Sequence, residues 1–186
     1  MAFHTFDVGR ADALEEPSRY RFCSREELLD LLSLSPSDVV ADLGSGTGFY
    51  TNEVAPFVET LYAVDVQSEM HELYREKGLP DVVETVTAEV GDLPFADDTL
   101  DAAFSTMTYH EFATPESLAE LARVVRPGGR VVTVDWSARG PGEDGPPTDE
   151  RYDLGHAVSS FADAGFRTTH AVERRETFVS VARLLD

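Results

Sequence analysis

Four stretches of this chain carry residue types that could do chemistry together. The first is Asp42-Leu43-Gly44-Ser45-Gly46-Thr47-Gly48, with glycine at three alternate positions. Glycines in such a row remove every Cβ that would hold a ligand off the backbone, and they permit φ > 0 where the chain reverses. The N–H groups of Gly44, Ser45, Gly46, Thr47 and Gly48 then lie at a turn and a helix start, where they can face an anionic or polar ligand. The second stretch is Val64-Asp65-Val66. Asp65 comes 23 residues after Asp42, and a carboxylate about 20 residues past a glycine turn can accept both hydroxyls of a ribose. In the third, Gly91-Asp92-Leu93-Pro94-Phe95, Asp92 could take an adenine amino group while Leu93 packs on the ring. The fourth, Ser105-Thr106-Met107-Thr108-Tyr109-His110-Glu111-Phe112, adds an imidazole, a carboxylate and hydroxyls. The chemistry is that of a nucleoside-like ligand; a glycine turn that binds nothing and acids at ordinary strand ends are the alternatives.

Such residues meet only if strands carry them to one edge of a sheet. The apolar run from Val39 ends at Asp42 and reads as a buried parallel strand, followed by a helix over about 47–55 that Pro56 stops. Leu61–Asp65 reads as the second strand, and a helix capped by Ser68 runs to Lys77, closed by Gly78. Val82–Val90 supplies a third strand and Leu100–Ser105 a fourth. Pro115, Leu118, Leu121, Ala122 and Val125 make an amphipathic helix, broken by Arg126-Pro127-Gly128-Gly129 before a fifth strand over Arg130–Asp135. Ahead of all these, Ser24 with Glu26 and Glu27 caps a helix carrying Leu28, Leu29, Leu31 and Leu32. Ser137–Pro147, dense in glycine and proline, reads as a mobile surface loop. A helix over Asp149–Ala164 ends at Gly165, and the alternating runs Phe166–Val172 and Thr177–Leu184 read as an antiparallel hairpin at the sheet edge. The alternation predicts one α/β domain over 1–186: a Rossmann-like, seven-stranded, mostly parallel sheet with helices on both faces and a C-terminal hairpin.

The glycine spacing decides between ligands. A dinucleotide fingerprint places its third glycine where this chain has Phe49, which counts against a nicotinamide-dependent oxidoreductase, as does the terminal hairpin. The pattern Asp42-x-Gly44-x-Gly46-x-Gly48 resembles the first motif of class I S-adenosylmethionine (SAM)-dependent methyltransferases. Together with Val64-Asp65, Gly91-Asp92-Leu93-Pro94-Phe95 and Leu121-Ala122-Arg123-Val124-Val125-Arg126-Pro127-Gly128-Gly129, it resembles the type 11, ubiquinone/menaquinone-biosynthesis-like branch of small members, well over residues 24–136. The resemblance implies SAM as cofactor and a small-molecule methyl acceptor. It implies that Gly44, Gly46 and Gly48 line the methionine part of SAM, that Asp42 supports the turn and the SAM amino group, and that Asp65 holds the ribose and Asp92 the adenine. Ser45, Thr47, Val66, Leu93 and Ser105 join them as cofactor contacts. Residues 1–22, with Phe3, Phe6, Tyr20, Phe22 and the segment Glu16-Pro17-Ser18-Arg19, resemble a lid, and 24–136 begins the core that runs to 186.

SAM is an activated methyl donor, so a protein mainly aligns donor with acceptor and keeps water out. A base is needed only where the acceptor must lose a proton. His110 is the candidate, with Glu111 or Tyr109 orienting the acceptor; a packing histidine is the alternative. Trp136 could line the acceptor pocket or join the core. A SAM-binding protein without turnover is the other reading that these residues permit.

Composition removes further classes. The charge of −20, from 35 acidic and 15 basic residues with Lys77 the one lysine, repels phosphate backbones and anionic lipid, so neither nucleic acid nor membrane is expected as partner. The balance resembles that of halophilic proteins. Ser105-Thr106-Met107-Thr108 does not match the Asn/Asp-Pro-Pro-Tyr type of amino-directed nucleic-acid methyltransferases. His110-Glu111 lacks the second histidine of a zinc helix, Thr114 standing there. The single cysteine, Cys23, excludes an internal disulfide and a multi-thiolate metal site, and no metal is expected. Cys23 reads as a half-buried packing residue; His4, His71, His156 and His170 read as surface or packing residues. No apolar run approaches the ~20 residues of a membrane span, no signal peptide opens the chain, and a cytoplasmic setting is expected. No oligomeric interface is legible.

Overall fold

The computed structural model describes residues 6–185; Phe3 and His4 lie outside them. In chain order the elements are α1 (Arg25–Leu32), β1 (Val39–Leu43), α2 (Phe49–Val54), β2 (Thr60–Asp65), α3 (Ser68–Lys77), β3 (Val83–Thr87), β4 (Leu100–Thr106), α4 (Tyr109–Phe112), α5 (Pro115–Val124), β5 (Val125–Trp136), α6 (Leu154–Asp163), β6 (Phe166–Glu173) and β7 (Thr177–Leu184). Two 3-10 segments, Val8–Glu15 and Pro17–Arg21, precede them. Three of the helices start where short side chains satisfy free N–H groups: Ser24 accepts from Glu27, Thr114 from Ser117, and Asp153 from His156.

The seven strands form one sheet in the order β3-β2-β1-β4-β5-β7-β6. β1 pairs in parallel with β2 and β4, while β7 runs antiparallel between β5 and β6. The expected sheet and its closing hairpin are present. One face buries Leu118, Leu121, Phe161 and Phe178, and the other buries Leu28, Leu32, Tyr50, Val54 and Tyr74, so helices cover both sides. Strand order reverses between β1 and β4, which opens a crevice at the carboxyl ends of those strands.

Several expected boundaries move. The third strand ends at Thr87, short of Val90, because its neighbour β2 ends at Asp65: the Ala88 N–H makes the last ladder bond, to the Asp65 carbonyl, and Ala88, Glu89 and Val90 line the crevice. Helix α2 starts at Phe49 because Gly48 is left-handed, with φ of 83°. Val125 belongs to β5, which takes up Arg126–Gly129 in a shift of register between Leu100 and Ala102. The sixth helix begins at Leu154, after a 3-10 turn over Thr148–Glu150. Cys23 is wholly buried rather than half-buried, and burial pushes its thiol up to about 11.

The largest departure is the loop 137–147. Its glycines and prolines describe a backbone that turns often, yet its contacts hold it in place. The buried Arg151 guanidinium reaches back to the Pro146 carbonyl and to Glu176 Oε2 at 3.2 Å, and Glu176 Oε1 accepts the Glu143 N–H. Gly145 packs so tightly on Trp136 that a Cβ there would fall 2.4 Å from the indole. The loop is a wall of the crevice.

Candidate active site

The crevice is a cavity of about 1060 Å³. The glycine turn forms its floor. Gly44, Gly46 and Gly48 have φ of 77°, 53° and 83°, a region that L side chains enter at a cost of roughly 1–2 kcal/mol. Space forbids side chains as well: a Cβ on Gly44 would meet Thr108 at 2.2 Å, and one on Gly48 would meet the Tyr74 ring at 2.2 Å. Asp65 clamps the turn from β2, its Oδ2 accepting the Gly46 N–H at 2.8 Å and its Oδ1 accepting the Gln67 N–H at 2.9 Å.

Asp42, at the end of β1, accepts a 2.6 Å hydrogen bond from Thr51 on one oxygen, while the other oxygen is buried with no partner among the described residues. Burial pushes its carboxyl up to about 7, against the pull of the Thr51 bond and the Arg19 charge. Arg19 comes from the Pro17–Arg21 turn. Its guanidinium lies 5.2 Å from the centroids of both Phe49 and Tyr50, donates to the Leu14 carbonyl, and has no carboxylate within 4.0 Å among the described residues. Burial lowers its pKa.

The far end of the cavity is built from other elements. Asp92 and Val66, the latter 45% exposed, lie on its rim. His110 and Glu111 enter from α4, and Phe22 meets Trp136 edge-on with centroids 4.7 Å apart. Burial pushes Glu111 up to about 7, with His110 opposing and Asp65 and Asp135 adding to the rise. The segment 6–22, where a lid is expected, lines this space with Phe6, Arg10, Leu14, Arg19 and Phe22. It is fastened by Glu15 to Lys77 at 2.7 Å, Tyr20 to Glu53 at 2.7 Å, Gln67 to the Phe6 carbonyl at 3.1 Å and Arg21 to Asp144 at 2.5 Å.

Of the residues singled out in the sequence, the cavity wall gathers Asp42, Gly44, Ser45, Gly46, Asp65, Val66, Asp92, His110 and Glu111. Five lie behind it. Tyr109 is a core residue, not a contact for an acceptor, because its ring faces inward among Phe112, Tyr152, Phe161 and Phe178. Leu93 is buried in the same core, and Ser105 is buried within β4. Thr47 turns its hydroxyl to Glu15, and Gly48 backs onto Tyr74. Sequence reasoning missed Arg19 and Asp135 as site residues. Asp135 carried a signal: Val134-Asp135 repeats at the end of β5 the apolar-then-acid ending of Val64-Asp65. Arg19 was singled out only as part of the lid-like segment Glu16-Pro17-Ser18-Arg19, since its isolation from carboxylates is a property of the fold.

A doubly wound sheet with a terminal antiparallel hairpin and a glycine turn at its switch point has the architecture of a class I SAM-dependent methyltransferase. The methyltransferase domain family matches residues 41–133, and this chain belongs to that family. It is similar to a SAM-dependent methyltransferase from Aquifex aeolicus, at 31% identity and a TM-score of 0.88 over 97% of this chain and 100% of that one. It is also similar to demethylmenaquinone methyltransferase from Corynebacterium kroppenstedtii, 35% identical over 107 residues, which are 57% of this chain and 45% of that protein. A third likeness is to a bifunctional biotin biosynthesis protein from Cellvibrio japonicus, 36% identical over 54% of this chain and 20% of that protein. The chain spans about half or less of the length of these curated relatives.

The family's cofactor is SAM, and the residues present suit it. The Asp42 oxygen and Ser45 hydroxyl at the cavity floor are buried polar atoms without a hydrogen-bond partner among the described residues, a costly state unless a ligand satisfies them. Among the described residues no helix is long and apolar enough to cross a membrane.

Proposed function

We propose that this protein moves the methyl group of SAM to a small-molecule acceptor bound between the lid, α4 and the loop 137–147. The observation that carries the reading is the juxtaposition in one cavity of an orphaned Asp42 oxygen at the glycine turn with Asp65, Asp92 and the His110–Glu111 pair. In this reading Asp42 accepts from the cofactor's ammonium group and Arg19 meets its carboxylate. The free oxygen lone pairs of Asp65 accept from the ribose hydroxyls, and Asp92 with Val66 takes the adenine. The bound cofactor supplies a methyl group on a positively charged sulfur. The chain supplies alignment and dryness: the lid closes over the sulfur while Phe22 and Trp136, packed edge to face, offer an apolar wall beside it.

A cavity of about 1060 Å³ exceeds the usual lower range for a single small ligand and leaves room for an acceptor next to the cofactor. The acidic surface supports an acceptor that is neither nucleic acid nor membrane lipid. The test is incubation of the purified chain with methyl-labelled SAM and a panel of small hydroxy, amino, thiol and quinol acceptors, followed by mass spectrometry. Label transferred to a panel member supports the reading. S-adenosylhomocysteine (SAH) binding with no transfer across the panel favours a SAM-binding protein without turnover.

A further inference from the structure

Asp135 is the penultimate residue of β5, and its carboxylate is 0% exposed. Both of its oxygens serve one neighbour. Oδ2 accepts the backbone N–H of His110 at 2.7 Å, and Oδ1 and Oδ2 stand 3.0 and 3.1 Å from the ring Nδ1 of that histidine. Among the described residues no arginine or lysine lies within 4.0 Å of it, so His110 is its one possible cationic partner there. A carboxylate only accepts, so Nδ1 carries a proton. In the neutral ring this leaves the lone pair on Nε2. The other nitrogen is held from behind, and His110 lies on the cavity wall. The charged groups around the imidazole are all acids: Asp135 from β5, Glu111 on α4 with Oε1 at 4.0 Å from Nε2, and Glu150 from the turn before α6.

We infer that Asp135 and His110 form a proton-accepting pair, and that the acceptor is a protic nucleophile, a hydroxyl or an amine. This rests on the methyl-transfer reading above. His110 touches the acceptor and is the catalytic residue; Asp135 acts through it and is a positioning residue. The acceptor's oxygen or nitrogen bonds to the methyl carbon as the carbon–sulfur bond breaks with its electron pair left on sulfur. The proton on that oxygen or nitrogen passes to Nε2, and the resulting imidazolium faces Asp135. No oxidant or reductant enters, and the proton leaves to water when the lid opens. Burial alone would lower the basicity of His110, but the charge and hydrogen bond of Asp135, helped by Glu111 and Glu150, outweigh it and raise the pKa above the ordinary histidine value. Methyl transfer therefore climbs with pH through that raised midpoint, since only the neutral ring can take the proton.

The pair can be read without turnover. Imidazole 15N–1H spectra of the full chain, assigned with His110→Asn, are expected to show the Nδ1-protonated neutral tautomer. Asp135→Asn is expected to lower the His110 titration midpoint by at least about one pH unit. With an acceptor in hand, the same variant lowers kcat, leaves the KM for SAM within about twofold, and moves the acid limb of the pH profile to lower pH. A proton on Nε2 of the neutral wild-type ring, or a midpoint unmoved by Asp135→Asn, overturns the pair. The wild-type tautomer decides alone if the variant does not fold. SAH calorimetry run alongside separates the two levels: no SAH binding by the wild type defeats the methyl-transfer reading, whereas normal SAH binding with the wrong tautomer defeats only the pair.

Discussion

Asp42 gives up its proton late, in a place where its ligand would need a charge. Its carboxyl is raised to about 7 by burial, and a bound ammonium group would pull that pKa down. The affinity for SAH is therefore expected to rise with pH, by up to about tenfold per unit below pH 7 and flattening above it. Calorimetric titrations at pH 6, 7 and 8 check this, and Asp42→Asn should abolish the dependence. The stability sign is opposite in the unliganded protein. A folded carboxyl that keeps its proton longer than the unfolded one loses stability as pH rises from 3.8 toward about 7. Asp65 differs, because both of its oxygens already hold backbone N–H groups and it needs no movement to bind. Asp65→Asn should cost about 1.5–3 kcal/mol of SAM binding, roughly 10- to 150-fold in Kd. Asp65 was legible because strand end and spacing from the glycines are sequence quantities. Arg19 and the inward face of Tyr109 were not, because both depend on what packs beside them.

At the scale of elements, the glycine turn is the most constrained. Gly48 is left-handed and faces the Tyr74 ring with no room for a Cβ. Gly48→Ala should destabilise by at least about 1–2 kcal/mol, about 2–8 °C in Tm, readable by calorimetric melting. The loop 137–147 teaches the reverse lesson. Glycine and proline density in the sequence described its turns but not its tie, which is made by Arg151 and Glu176, far apart along the chain. Arg151→Met leaves Glu176 buried without its cation, so it should lower Tm and hasten proteolysis within 137–147, with SAH binding retained. Uniform protection in that variant would show that the Gly145–Trp136 contact suffices. The early end of β3 has a non-local origin too, in the end of its partner β2 at Asp65.

The whole molecule carries −20 charges on a fold whose mostly parallel sheet and covering helices were legible from alternation, although the order of its strands was not. Periodicity reports which residues are buried, and burial dictates layers; it does not report which surface loop closes over a cleft. A net charge of this size strains the compact state by self-repulsion. Raising NaCl from about 0.1 to 1 M shortens the screening length from about 10 to 3 Å, and Tm should climb by several degrees; a flat or falling Tm would mean that the acids are already neutralised locally. One cavity, floored by the glycine turn and lined by Asp42 and Asp65, stands as the place for SAM. Calorimetric titration of the purified chain with SAH tests it most directly. A single saturable site per chain is expected, lost or weakened at least tenfold in Asp65→Asn. Heat-silent mixing with SAH, together with saturable binding of NAD, would contradict it.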